Sequence, residues 1–135
     1  MSNMQAILIT DDDTHNRVFL MTILHQLIPT VTIDHAINGK DAIELVTERI
    51  ESSKQSYDLI FMDFKMPGLN GEETTNAIRK LESQAYHLRK KSIIITWSSV
   101  KSAPYPNADD WMPKPPSKTE VESILTTYDI INPVG

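Results

Sequence analysis

The sequence contains no cysteine, so neither a disulfide framework nor a thiolate metal site can form. It also lacks long apolar runs, since no stretch approaches the ~20 residues that a membrane-spanning helix requires. No basic and apolar leader precedes the first strand-like segment, so we expect no secretory signal. These absences predict a cytoplasmic protein that makes no direct contact with a membrane.

Basic residues are fewer than acidic residues in this sequence. The chain has 13 lysines and arginines against 18 aspartates and glutamates, which gives a formal net charge of −5. Nucleic-acid surfaces are usually basic, so we expect no direct contact with nucleic acid. The chain has 135 residues, 40% of them hydrophobic, and no repeat or linker. It therefore fits one domain over residues 1–135, with a core at about 5–128.

Short apolar runs alternate with helical periodicities along the chain. Runs that begin at Ala6, Val31, Tyr57, Ser92 and Trp111 are typical of strands buried on both faces. All but the fourth run are followed by apolar residues at helical spacing. This alternation predicts an α/β fold with a single doubly wound, five-stranded parallel sheet and helices on both faces.

Individual residues predict where two of the helices begin and indicate that one expected helix is interrupted. Pro104 and Pro106 follow the fourth run, where they remove backbone donors and fix φ. The fourth helix, between the fourth and fifth strands, is therefore predicted to be shortened or missing. Thr14 is predicted to cap the first helix. Ser117, with Glu120 three residues later, has the pattern of a capping box at the last helix.

Acidic side chains stand at two strand ends, where Asp11 and Asp12 follow the first run and Asp63 ends the third. In such sheets ligands bind beyond the carboxyl ends of the strands, at a topological switch point. If these strands are neighbours, three carboxylates converge, and their repulsion favours a bound cation. Mg²⁺ takes such oxygen ligands and reaches substrate phosphate. Lys114 and Thr96, at two other strand ends, would offer a positive charge and a hydroxyl to a phosphoryl group.

The chain resembles, from about Gln5 to Tyr128, the receiver domain of two-component response regulators and hybrid sensor kinases, which has a flavodoxin-like fold. The stretch over residues 58–71 is the most specific part of this resemblance. The matching stretches are 7–12 (ILITDD), 36–42 (AINGKDA), 58–71 (DLIFMDFKMPGLNG), 93–96 (IIIT) and Lys114-Pro115.

The resemblance implies a Mg²⁺ site. Asp12 and Asp63 would bind the ion directly, with the backbone carbonyl of Lys65 as the third protein ligand. Asp11 would act through a metal-bound water. The register of the triple aspartate favours Asp11 and Asp12 as the acidic pair, with Asp13 as a helix-start residue.

The resemblance also implies a phosphoprotein of a two-component system or phosphorelay. Asp63 would accept a phosphoryl group from a phosphohistidine on a histidine kinase or histidine phosphotransfer protein. Thr96 would bond the phosphoryl group and move to report it. Lys114 would ion-pair with the phosphoryl group, next to a cis Lys114-Pro115 peptide. Such a domain signals by docking to a downstream protein target and is not a turnover enzyme.

Several positions depart from the family pattern. Trp111 stands where the family often has a switching aromatic residue, and Pro113 removes a strand donor. Lys65 and Trp97 are expected to border the approach of water to phospho-Asp63, and we expect them to slow its hydrolysis. The alternative for these two side chains is that Trp97 turns outward, filling the space left by the shortened fourth helix, and that Lys65 extends into solvent.

Two other functions are alternatives for this sequence. A phosphohydrolase with an aspartyl nucleophile needs Asp-x-Asp-x-Thr/Val, but a motif that starts at Asp11 meets His15 at the last position. A degenerate receiver could act as a phosphorylation-independent protein-binding module, although the intact acidic, threonine and lysine positions argue against it. A stand-alone receiver and a fragment of a hybrid kinase both fit the chain.

Overall fold

Within residues 5–53, 55–100 and 105–131, which a computed structural model describes, five strands and four helices follow one another. Each of the first three strands is followed by a helix, as the sequence predicts, and the last helix follows the last strand. The elements are β1 (Ala6–Thr10), α1 (Thr14–Leu27), β2 (Thr32–Ala36), α2 (Gly39–Ser53), β3 (Leu59–Asp63), α3 (Gly71–Gln84), β4 (Ile93–Ser98), β5 (Asp110–Pro113) and α4 (Lys118–Thr127).

The five strands form one parallel sheet in the order β2-β1-β3-β4-β5. This is the predicted doubly wound, flavodoxin-like sheet. The chain passes from β1 outward to β2 and then returns to β3 on the other side of β1, so the strand order reverses between β1 and β3. All five residues of each of these two strands are buried. The carboxyl ends of two apolar central strands therefore meet at the switch point.

Side chains alternate between two hydrophobic cores, one on each face of the sheet. One core lies between the sheet and the pair α1 and α4, and it contains Ile7, Ile9, Phe61, Ile95 and Trp97 from the strands. The second lies between the sheet and the pair α2 and α3, and its strand residues are Ala6, Leu8, Ala36, Ile60, Met62 and Ile94. The two faces explain why these strands are apolar at every position.

Helix capping agrees with the sequence at the last helix and corrects it at the first. Ser117 and Glu120 form the predicted capping box of α4. The cap of α1 is Asp13 and not Thr14, because Asp13 Oδ1 accepts hydrogen bonds from the backbone N–H groups of His15 (2.8 Å) and Asn16 (3.3 Å). A carboxylate in this position also interacts favourably with the helix dipole, and Thr14 becomes the first helical residue.

The fourth helix of the predicted pattern is missing from the residues that the structure describes between β4 and β5. Pro104, one of the two prolines behind that prediction, lies outside the described residues. The helix called α4 here comes after β5 and has ten residues. In the described ranges, no helix combines the length and the apolar character needed to cross a membrane.

Candidate functional site

Three carboxylates meet at the switch point. Asp11 directly follows β1, Asp63 is the last residue of β3, and Asp12 is the next residue of the loop after β1. Each offers one oxygen, and these oxygens all lie within 4.8 Å of one another. Asp11 and Asp63 are 1% and 7% exposed, whereas Asp12 is open to solvent. The convergence that the sequence predicts at these strand ends is therefore present.

The start of α1 holds Asp11 in place. Its Oδ1 accepts a hydrogen bond from the Asp13 backbone N–H at 2.9 Å, and its Oδ2 accepts one from Asn16 Nδ2 at 3.2 Å. Buried Arg17 donates from Nη1 to the Asp11 carbonyl oxygen at 2.7 Å. This arrangement gives Asp11 and Asp12 to the acidic cluster and Asp13 to the helix cap, which is the register expected from the sequence.

Lys114 brings a positive charge to the cluster. Its Nζ donates to Asp11 Oδ2 and to Asp63 Oδ1, both at 2.7 Å, and its side chain is 14% exposed. The residue follows β5, and its peptide bond to Pro115 is cis, as expected. One ammonium faces three carboxylates, so the cluster keeps an excess of negative charge that a cation would relieve.

Opposing effects act on the pKa of the Asp63 carboxyl. Burial raises its pKa, while the hydrogen bond and the charge of Lys114 lower it and the charges of Asp11 and Asp12 raise it again. The balance lies above the ordinary value for an aspartate. Relative to an ordinary aspartate, the charged form that a nucleophile or metal ligand requires is therefore less favoured, and added positive charge would favour it.

The donor set fits a hard divalent cation. All three candidate side-chain ligands are carboxylates, and oxygen is the ligand that Mg²⁺ and Ca²⁺ prefer. Asp12 also borders an open cavity of about 430 Å³ together with Lys65, Met66 and Asn70. Asp12 and Lys65, whose backbone carbonyl the resemblance gives as a metal ligand, therefore line the same cavity.

A second cavity of about 500 Å³ adjoins the cluster, and Asp63, Lys65, Thr96 and Lys114 all line it. Thr96 pairs with Met62 of β3, and its Oγ1 donates to the Asp110 carbonyl oxygen at 3.2 Å. Thr96 is 4% exposed, so its hydroxyl lies inside the fold at the edge of this cavity. The structure therefore brings all the predicted side chains to one end of the sheet.

Trp97 does not border this cavity, contrary to the sequence-based expectation. It follows Thr96 along β4, so its side chain lies on the opposite face of the sheet. It is 0% exposed in the core beside α1 and α4, and its Nε1 donates to the Thr10 carbonyl oxygen at 3.3 Å. Trp97 therefore cannot shield Asp63 from water, whereas Lys65 does line the cavity.

Tyr105 also lines this cavity, although it was not predicted from the sequence. Its ring lies 5.6 Å from that of Phe64, and its buried hydroxyl has no hydrogen-bond partner among the described residues. Burial, followed by the charge of Asp63, raises the pKa of Tyr105. A Cβ at position 71 would collide with the Tyr105 hydroxyl and the Asp63 carbonyl oxygen, so Gly71 makes room for both, a contact that only the fold reveals.

Comparison with known protein families gives a match over most of the chain. The family model described as "Response regulator receiver domain" matches residues 7–126. Hybrid signal transduction histidine kinase L of Dictyostelium discoideum is 30% identical over 129 residues, which cover 90% of this chain and 7% of that kinase. Two-component response regulator ORR41 of Oryza sativa subsp. japonica is 29% identical, over 93% of this chain and 94% of the relative.

Solved structures share the fold. The receiver domain of Ssk1, in a complex with the histidine phosphotransfer protein Ypd1 of Saccharomyces cerevisiae, has a TM-score of 0.76 and 21% identity. That alignment covers 99% of this chain and 94% of the other. A mutant of the receiver domain of histidine kinase CKI1 from Arabidopsis thaliana has a TM-score of 0.77 and 24% identity, with 94% and 91% covered.

Proposed function

Because this chain belongs to the response regulator receiver domain family of two-component systems, we propose that Asp63 accepts a phosphoryl group from a phosphohistidine partner in a Mg²⁺-dependent reaction. The observation that supports this most directly is the position of Lys114 Nζ, 2.7 Å from both Asp11 and Asp63. A fixed cation beside a buried carboxylate at a strand end suits transfer of a charged group. The domain is proposed to extend over residues 1–135.

In the proposed reaction, a carboxylate oxygen of Asp63 forms a bond to phosphorus while the bond between phosphorus and the donor's imidazole nitrogen breaks. The imidazole nitrogen keeps the electron pair of that bond. The transition state is loose, with its charge spread over three equatorial oxygens, so positioning and electrostatics dominate. Lys114 stabilises one of these oxygens with its ammonium, and Thr96 donates its hydroxyl to another.

The acidic cluster is the proposed Mg²⁺ site. Asp12, Asp63 and the backbone carbonyl of Lys65 would hold the ion, and Asp11 would act through a bound water. When bound, the ion would neutralise charge on the phosphoryl oxygens. Its charge would also oppose the burial and the repulsion from Asp11 and Asp12 that raise the pKa of Asp63.

The proposed partners are a histidine kinase or histidine phosphotransfer protein as donor and a downstream protein as target. The donor is supported by the histidine kinases among the relatives and by the structural neighbour solved with a histidine phosphotransfer protein. In this role the protein stores and passes on a phosphoryl group, and it does not turn over a free substrate.

The test is phosphorylation by acetyl phosphate with Mg²⁺, followed by intact-mass measurement. We expect the wild type to gain the mass of one phosphoryl group and Asp63→Asn to gain none while keeping its fold. Asp13→Asn is the matched control, because asparagine also caps helices well, and it should gain the phosphoryl group as the wild type does. A folded wild type that gains no mass favours the phosphorylation-independent binding module instead.

A further inference from the structure

Trp97 lies next to Asp63, the proposed phosphoryl site, in the core between the sheet and the pair α1 and α4. Its backbone pairs with Asp63, and its indole N–H donates to the carbonyl oxygen of Thr10 at 3.3 Å. Phe61 packs against it edge-on, with the ring centroids 6.3 Å apart and the planes at 61°. The indole is thus fixed by the ends of β1 and β3, the same two strands that carry the acidic cluster.

The face of this ring contacts the active-site lysine. Lys114 Nζ lies 4.6 Å from the Trp97 ring centroid, inside the range of a cation–π interaction. Tryptophan is the strongest aromatic partner for a cation. With the lysine side chain 14% exposed and the tryptophan 0% exposed, little water competes for the contact.

Among the described residues, the Lys114 ammonium therefore contacts two carboxylates and one aromatic ring. The carboxylates are those of Asp11 and Asp63, whose charge is shared or lost when a cation or a phosphoryl group arrives. The third contact is the neutral indole, which is buried in the core and whose charge neither event changes. A lysine has a flexible four-carbon stem, so a contact that does not change with the state of the site can restrict where its ammonium goes.

We propose that Trp97 is a positioning residue, whose buried ring face holds the Lys114 ammonium at the height of the phosphoryl group on Asp63. This inference rests on the proposed function, because it concerns the same transfer reaction. The positioning role differs from a packing role in one respect. Packing requires only that the core volume be filled, whereas positioning requires an aromatic face in contact with the lysine ammonium.

The contact itself is tested without any phosphoryl transfer. The chain has two tryptophans, so Trp111→Phe leaves Trp97 as the single reporter. In that background we expect Lys114→Met to change the emission intensity of Trp97, since the cation over the ring is lost. Lys65→Met is the matched control, as it removes a lysine that lines the same cavity but does not contact the ring. If Lys114→Met changes the emission no more than Lys65→Met does, the contact is absent in solution and the inference is overturned.

The role is tested by rates of phosphoryl uptake from acetyl phosphate with Mg²⁺. Trp97→Leu should lower the maximal rate by up to about a hundredfold, because a misplacement of about 1 Å can cost that much, with the half-saturating donor concentration unchanged. Trp97→Tyr keeps an aromatic face and should restore most of the rate. Leu59→Ala, in the same core, also 0% exposed and at the opposite end of β3 from Asp63, should lower stability and leave the rate near that of the wild type.

The outcomes separate the inference from the proposed function. A wild type that takes up no phosphoryl group overturns both. A wild type that takes it up while Trp97→Leu and Leu59→Ala share one rate overturns only the positioning role of Trp97. Should Trp97→Leu lose its cooperative unfolding transition, Trp97→Met fills the site with an unbranched side chain that also lacks an aromatic face, and the same comparison applies.

Discussion

At the scale of single residues, the site depends on a balance of charge between Lys114 and the three aspartates. Lys114 is bonded to Asp11 and Asp63, which are buried, whereas Asp12 is exposed and is bonded to neither the lysine nor the start of α1 among the described hydrogen bonds. Asp12 is therefore the carboxylate most available to an incoming cation. Its loss should affect metal binding more than the fold.

We predict that Asp12→Ala weakens Mg²⁺ binding by more than about tenfold, because losing even a residue that only orients a metal ligand costs that much. Titration of Trp97 fluorescence in the Trp111→Phe background measures the affinity, since Lys114 connects the indole with the cluster. Asp13→Asn provides the control, as this neighbouring residue belongs to the helix cap and should leave the affinity unchanged. An unaltered affinity in Asp12→Ala would contradict the proposed ligand set.

Lys65 is the side chain expected to affect the lifetime of the phosphorylated form. It lines the cavity beside Asp63, where its ammonium can hold a phosphoryl oxygen. We predict that Lys65→Asn speeds the decay of phospho-Asp63 several-fold, as followed by intact mass after removal of the donor. Lys80→Asn, an exposed position on α3, controls for the change of charge. Equal decay in both variants would show that Lys65 extends into solvent.

At the scale of elements, one arginine fastens the segment that precedes β5 to α3. Arg79 Nε donates to the Asn107 carbonyl oxygen at 2.9 Å, and its Nη2 donates to Asp109 Oδ2 at 2.9 Å. Its Nη1 bonds Glu82 Oε1 at 2.7 Å, and the Glu82 side chain is fully buried. The described part of this connection contains no helix. Arg79 therefore satisfies the Asn107 carbonyl oxygen, which in a helix would accept a backbone hydrogen bond.

We predict that Arg79→Met lowers the free energy of unfolding by about 3 kcal/mol, because it leaves the buried Glu82 carboxylate without its cation. Urea denaturation measures the change. Lys90→Met is the matched control, since its pair with Asp58 is 3.6 Å long and its side chain is 72% exposed. That exposed pair should contribute less than about 1 kcal/mol. A similar small loss in Arg79→Met would mean that the network does not stabilise the segment.

At the scale of the whole molecule, the fold gathers repelling charges at one end of its central strands. Burial raises the pKa of Asp63, helped by Asp11 and Asp12 and opposed by Lys114. A carboxyl whose folded pKa lies above its unfolded value favours folding only while it is protonated. That contribution is lost as the pH rises through the raised pKa, so at neutral pH the charged Asp63 opposes folding.

Stability should therefore respond to Mg²⁺ and to the charge of Asp63 together. At a free concentration ten times the dissociation constant, Mg²⁺ should add about 1.4 kcal/mol to the free energy of unfolding of the wild type. Without metal, Asp63→Asn should be more stable than the wild type, and Mg²⁺ should stabilise it much less. Urea unfolding with a chelator and with Mg²⁺ gives all four values. A less stable Asp63→Asn in the chelator would refute this account of the charge.

Much of this architecture follows from local chemistry, and the sequence alone therefore predicts it. Continuous apolar runs indicate strands covered on both faces, and Asp11 and Asp63 stand at strand ends because the apolar runs stop there. The absence of a helix from the described part of the β4–β5 connection agrees with its proline content. Ser117 caps α4 because the capping box is a pattern of neighbours in the chain.

Other features were decided only by the packing of distant segments. Thr14 and Asp13 are both competent caps, and the choice depends on how the chain leaves β1 to place Asp11 against Lys114. Trp97 points into the core because its neighbour Thr96 faces the cavity, and no local signal shows which of the two faces which side. Strand periodicity determines that adjacent side chains diverge, but only the order of the strands and the placement of the helices determine what each of them meets.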